Sequence, residues 1–185
     1  MTDELDNYSD HLVTIRQDAT GFMNGLSETQ FNWQPAPGRW SVASCFEHLN
    51  LSAAKLFIPS IDAAITDARS RGLTSPGPFT YSAFERWCVS MNDAPARMRF
   101  KAPNVVRPQA TKPMDDVRAE FIRWQDALAA RIHDADGLDL RRARYKSPLP
   151  LVKWSLGAFI QLMLAHERRH IWQARQVLKA PGFPV

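Results

Sequence analysis

The stretch from Leu151 to Lys179, LVKWSLGAFIQLMLAHERRHIWQARQVLK, decides how this chain is read. Val152, Leu156, Phe159, Met163, His166, His170, Ala174 and Val177 recur at three- and four-residue intervals, the spacing of one helix face. That spacing predicts a long last helix from about Leu151 to Lys179, closed by Pro181-Gly182. Two histidines take the place of apolar residues on the face expected to be buried. At i and i+4 they stand one turn apart, so their imidazoles can converge on a single point. Neutral imidazole is a ligand for zinc, nickel, copper and iron. The bland alternative is a pair of hydrogen-bonded core histidines, and a third ligand separates the two readings.

His166-Glu167-Arg168-Arg169-His170 also matches the H-E-x-x-H pattern of zinc proteases, whose glutamate is a general base. Those enzymes take their third ligand downstream. Only 15 residues follow His170, and none is His, Asp, Glu or Cys. The protease reading fails, and a third ligand must come from upstream. His133 falls near the end of its helix, and His11 flanks the apolar stripe of the first helix. His48 lies one turn after Cys45, on a helix that begins at Trp40-Ser41 about two turns earlier. Pairing of that helix with the last one can bring His48 level with His166 and His170, which makes it the best-placed candidate.

Outward from these positions the chain remains helical, with no convincing strand alternation. Leu5, Tyr8, Leu12, Ile15, Ala19, Phe22 and Leu26 share one face of a first helix. Ser27 to Trp40, with Pro35, Pro37 and Gly38, reads as a loop. Ser41 is the expected N-cap of a second helix carrying Val42, Cys45, Phe46, Leu49, Ala53, Leu56, Phe57, Ile61 and Ile65. Pro59 predicts a kink or short break in it. Between Gly72 and Pro113 fall six prolines, and only Tyr81 to Met91 reads as a further short helix. An excursion of this length is expected to cover a site. A third long helix is predicted from Asp115 to His133, with Val117, Phe121, Trp124, Leu128 and Ile132 on its stripe and Asp136-Gly137 as its stop. Asp115 and Asp116 suit its N-terminus. The expected fold is all-α: a four-helix bundle in a single domain over 1–185, with a long Pro-rich excursion between helices two and three.

With 45% hydrophobic and 23% charged residues, 185 residues suffice for one domain with a real core, which argues against general disorder. The net charge is +4 and 17 of the 23 basic residues are arginine, spread along the chain. The densest cluster, Arg141, Arg142, Arg144 and Lys146, reads as a solvated helix end or loop, so no nucleic-acid partner is expected. The acidic N-terminus MTDELDNYSD has no signal-peptide pattern. The longest apolar stretch, Leu151 to Ala165, contains Lys153 and Gln161 and falls short of the roughly 20 residues that cross a bilayer. A cytoplasmic protein with no membrane partner is expected.

Cys45 and Cys88 make no disulfide framework, and Cys45 reads as a small buried apolar residue in preference to a thiolate ligand or reactive thiol. Glu167 projects about 100° from His166 around the helix and reads as a solvated or ion-paired carboxylate, with Arg123 or Arg131 as conceivable partners. Glu47 could orient a ligand imidazole or simply face solvent. Trp33, Trp40, Trp124, Trp154 and Trp172 read as packing anchors and not as a substrate cage.

Gly38-Arg39-Trp40-Ser41, then Glu47-His48-Leu49, then the distant H-x-x-x-H of the last helix together resemble the DinB-like superfamily. The preceding Trp33-Gln34-Pro35-Ala36-Pro37 is similar to that family's segment before helix two. The resemblance spans nearly the whole chain in motif order and helix count. It implies a bundle whose metal is held by His48, His166 and His170, with a position left open for water or substrate and the homodimer as a common state. Zinc or nickel is the expected metal. The family includes metal-dependent hydrolases and low-molecular-weight thiol transferases. It thus implies an enzyme that activates water or a small thiol, acting on a small molecule such as a low-molecular-weight thiol. The alternative is a non-catalytic, dimeric bundle that binds a metal or ligand. No catalytic residue beyond the ligands is assigned.

Overall fold

The structure, a computed structural model, describes residues 1–96, 98, 101–108, 111–146 and 153–185. Acidic Asp3, Glu4 and Asp6 open helix α1 (Asp3–Asn24), where the helix dipole favours negative charge. Its buried face is Leu5, Tyr8, Leu12, Ile15, Ala19 and Met23. The segment expected to be a loop begins instead with a short helix α2 (Glu28–Asn32), stabilised by reciprocal Ser27 and Gln30 capping bonds. Five residues are too few to show a helical period, so the capping pair was its only mark in the sequence.

Ser41 caps α3 (Val42–Ser52) as expected, its hydroxyl accepting from the Ser44 amide at 3.0 Å. A single π turn, Ala53–Phe57, follows and leads into α4 (Ile58–Ser70). Pro59 lies in the first turn of α4, so the N–H it lacks falls where the hydrogen-bond ladder changes register. Helix α5 (Ala83–Met91) starts from a Ser82–Glu85 capping box, a 3₁₀ turn covers Asn104–Val106, and α6 spans Met114–Asp134.

Strands β1 (Arg144–Lys146) and β2 (Lys153–Ser155) then pair antiparallel, with Tyr145 opposite Trp154. Helix α7 (Leu156–Val177) therefore begins at Leu156 and not at Leu151. The predicted start, Leu151 and Val152, lies outside the described residues, as do Pro148 and Pro150. Pairing of 153–155 with 144–146 holds that backbone extended, and Glu85 accepts from the Ser155 amide at 2.8 Å. Three-residue strands are too short to alternate visibly, so the sequence concealed them.

The described residues are mostly helical. Helix α7 packs on α1, α3, α4 and α5, while α6 packs on α1, α3 and α4. Phe46, Phe121, Leu128, Ile132, Ile160 and Met163 are fully buried between them. Each such side chain contributes about 1.5–3 kcal/mol relative to exposure. Among the described residues no helix is long and apolar enough to cross a membrane.

Candidate metal centre

His48 sits mid-way along α3 and is 4% exposed. Its Nδ1 lies 2.7 Å from the Val106 carbonyl oxygen. A carbonyl only accepts, so Nδ1 carries the proton and the ring's lone pair is on Nε2. That Nε2 lies 3.1 Å from Nε2 of His166. The His166 and His170 ring centroids are 4.5 Å apart, and they lie 5.0 and 4.5 Å from that of His48. One nitrogen from each ring falls within 4.8 Å of the others, which makes a group that could hold a metal ion.

The group's chemistry fits a cation. Two nitrogens bound to one tetrahedral zinc at 2.0–2.1 Å lie about 3.3 Å apart, close to the spacing seen between His48 and His166. Three imidazoles with no carboxylate among them offer a neutral nitrogen donor set that zinc and nickel accept. Burial also keeps the rings uncharged. It lowers His48, against a smaller opposing effect from the Val106 carbonyl. Burial, then His48 and Arg169, bring His166 down to about 3. His170 is held well below the ordinary histidine value by burial, His166, His48 and Arg169. Neutral imidazole is the ligating form.

Aromatic rings wall the group. Trp40, read from sequence as a packing anchor, lies 5.0 Å from the His48 ring and 5.7 Å from that of His170. Phe57 lies 5.3 Å from His166, the least buried of the three histidines. In an unbroken α-helix, nine residues would turn Phe57 about 180° from His48. The π turn absorbs one residue and brings that angle to about 80°. The other tryptophans read as packing anchors are elsewhere: Trp154 is buried near Phe84, Trp33 meets Phe183 edge-on, and Trp124 donates to Glu120 beneath Arg123. Trp172 is half-buried on α7.

The segment between α5 and α6 is tied to the residues flanking the histidines. Arg168 makes two bonds to the Asp93 carboxylate, at 2.9 and 2.7 Å. The buried Arg169 guanidinium donates to the carbonyls of Met91 and Met98. Lys112 pairs with Glu47 at 2.8 Å. Neither sequence reading of Glu47 captured this: it neither faces solvent nor meets His48, but is a buried ion-pair partner.

Glu167 also needs correction. It is 4% exposed and accepts from Gln125 Nε2 of α6 at 2.7 Å, a buried bond across the core. Burial raises its carboxyl to about 7, against the opposing Gln125 bond. Its expected partners are engaged elsewhere, Arg123 with Glu120 and Arg131 with Asp62. The helix was assigned one inward face, whereas α7 is covered on several sides. Cys45 lies fully buried in the apolar core, and burial pushes its thiol up. His11 and His133 are exposed and stand apart from the group.

Sequence reasoning missed Val106, Phe57 and Arg169. Val106 acts through its backbone and Phe57 through a π turn, neither of which leaves a side-chain pattern. Arg169 was visible inside the H-E-x-x-H match, but its partners are backbone carbonyls.

A helical protein in which three neutral histidines from two helices converge on one point defines a candidate metal-binding class. A profile of the DinB superfamily matches residues 11–174. The chain belongs to that superfamily. No curated protein and no solved structure matches it significantly.

Proposed function

We propose that this protein is a metal-dependent enzyme of the hydrolase or thiol S-transferase type, built as a four-helix bundle of the DinB-like kind. Its ligands are His48, His166 and His170. The observation that carries the reading is the convergence of three neutral imidazoles beside the rings of Trp40 and Phe57. Three protein ligands leave a position open, the arrangement of catalytic zinc. Zinc or nickel bound there would supply Lewis acidity, lowering the pKa of a water or thiol that it binds.

The chain's own residues support that role in specific ways. The Val106 carbonyl fixes the tautomer and orientation of His48. Trp40, against His48 and His170, and Phe57, against His166, shield the imidazoles from bulk water. Met91, Asp93 and Val106, from the excursion after α4, lie against α3 and α7 and serve as part of the cover. Its substrate is a small molecule, with a low-molecular-weight thiol the favoured class, and the working form is a cytoplasmic homodimer without a nucleic-acid partner.

One observation favours a second reading, a non-catalytic bundle that binds metal or ligand. The two carboxylates adjoining the histidines, Glu47 and Glu167, are engaged by Lys112 and Gln125, so neither is poised as a general base. A metal held by the three histidines would lower the pKa of a bound thiol from an already lower starting value than that of water. The thiol's proton could then pass to solvent without such a base, which favours the thiol chemistry over hydrolysis.

Elemental analysis of the purified protein is expected to show about one zinc or nickel per chain, lost in His48→Ala and in His170→Ala. Full metal content in both variants overturns the site. Metal binding without saturable turnover across a panel of thiols with electrophiles and of esters supports the second reading.

A further inference from the structure

We propose a second ligand site, distinct from the histidine group, that takes a small polyanion carrying phosphate or carboxylate groups. It is a cleft of about 860 Å³ where the end of α4 meets the segment 139–145 and β2. That volume lies within the roughly 300–1,000 Å³ range of small-molecule sites.

Five cationic side chains line it: Arg71, Arg141, Arg142, Arg144 and Lys153. The carboxylates in the same wall, Asp67 and Asp139, leave an excess of three positive charges. The whole chain has a net charge of only +4, so most of its imbalance is gathered in this one concavity. The two carboxylates are also already committed. Asp67 pairs with Arg71 at 3.0 Å, and Asp139 accepts the amides of Arg141 and Arg142 at 3.1 and 2.9 Å. Among the described residues no carboxylate pairs with Arg141, Arg142, Arg144 or Lys153. Arg144 instead reaches the main-chain carbonyl of Lys153 at 3.2 Å, which holds its guanidinium against β2.

Like charges held together without counter-charges repel, and a bound anion relieves that repulsion. Guanidinium forks match planar carboxylate and tetrahedral phosphate alike, so more than one oxyanion group is accommodated. Ala63, Ala64 and the half-buried ring of Tyr145 form an apolar part of the wall. The ligand therefore has an apolar portion as well as its anionic groups. The exposed cations line a single cleft, and Asp67 and Asp139 stand among them. A continuous phosphate backbone would be repelled there, which favours a small molecule over nucleic acid.

The test is calorimetric titration of inorganic triphosphate into the full chain and into three variants. Saturable 1:1 binding is expected, weakened at least about tenfold in Arg141→Ser/Arg142→Ser and several-fold in Lys153→Ser. Undiminished affinity in His48→Ala is expected, since it separates this cleft from chelation at the histidine group. No saturable binding to the unmodified chain overturns the proposal, as does affinity that survives the arginine substitutions or is lost in His48→Ala. Tighter binding of a 20-base-pair DNA duplex than of triphosphate overturns it in favour of a nucleic-acid surface.

Discussion

Gly157 shows how a single missing side chain can set a packing distance. A Cβ built there would lie 1.7 Å from Oη of Tyr81, whose hydroxyl is held by Glu4 in a cluster that includes Tyr8 and Gln161. Tyr81 cannot swing away cheaply because the whole cluster is knit together. Gly157→Ala should therefore destabilise the fold by about 1–3 kcal/mol, despite alanine's better helix propensity. A shift in the urea denaturation midpoint at unchanged slope would measure it, and an unchanged midpoint would refute it. At this scale the sequence was most legible where a residue broke a pattern. His166 and His170 stood out because they replaced apolar residues on a stripe. Glu167, one position away, was misplaced because periodicity finds one buried face and cannot find a second.

Among elements, the long proline-rich segment and the π turn set the surroundings of the histidines. Arg168 and Asp93, each one-third exposed, join α7 to the segment after α5 through a two-bonded ion pair. Asp93→Asn should loosen that segment and, through the Val106 carbonyl, the orientation of His48. A well-formed pair of this kind is worth about 1 kcal/mol, so metal affinity measured by chelator competition should fall about fivefold. Unaltered affinity would show that the segment is held by its other contacts. Deletion of Ala54 should turn the π turn into ordinary α-helix while keeping Phe57 in place. Fold and metal content should survive it, whereas deletion of Ala165 rotates His166 and His170 by about 100° relative to the start of α7 and should abolish metal binding. Helices α1, α3, α4, α6 and α7 were legible because each repeats its apolar spacing over several turns. The π turn and the three-residue strands were not, since hydrogen-bond register has no side-chain period.

Across the whole molecule, Glu85 joins helices that are distant in sequence. Its Oε2 accepts from the amide and hydroxyl of Ser82 at the start of α5, and its Oε1 from those of Ser155 at the start of α7. Burial by itself raises this carboxyl, but the bonds from Ser155 and Ser82 outweigh it and bring it down to about 2. The folded value thus lies below the ordinary carboxylate value. The stabilisation is fully present above about pH 4.5 and is lost as pH falls through about 2. Glu85→Gln should cost about 1–3 kcal/mol at pH 7, and the difference from the unmodified chain should shrink in melts taken at progressively lower pH below 4.5. A difference constant down to pH 2 would exclude this role.

The bond from the Val106 carbonyl to His48 has a consequence for which changes the chain can tolerate. Because a main-chain atom orients the ring, substitutions at positions 104 to 106 that keep the turn and its apolar contact should be nearly silent for the site. Insertions or deletions in the same turn would carry that carbonyl out of reach. Related chains are therefore expected to vary freely at positions 104 and 105, to keep an apolar residue at 106, and to conserve the length of the segment that delivers them to α3.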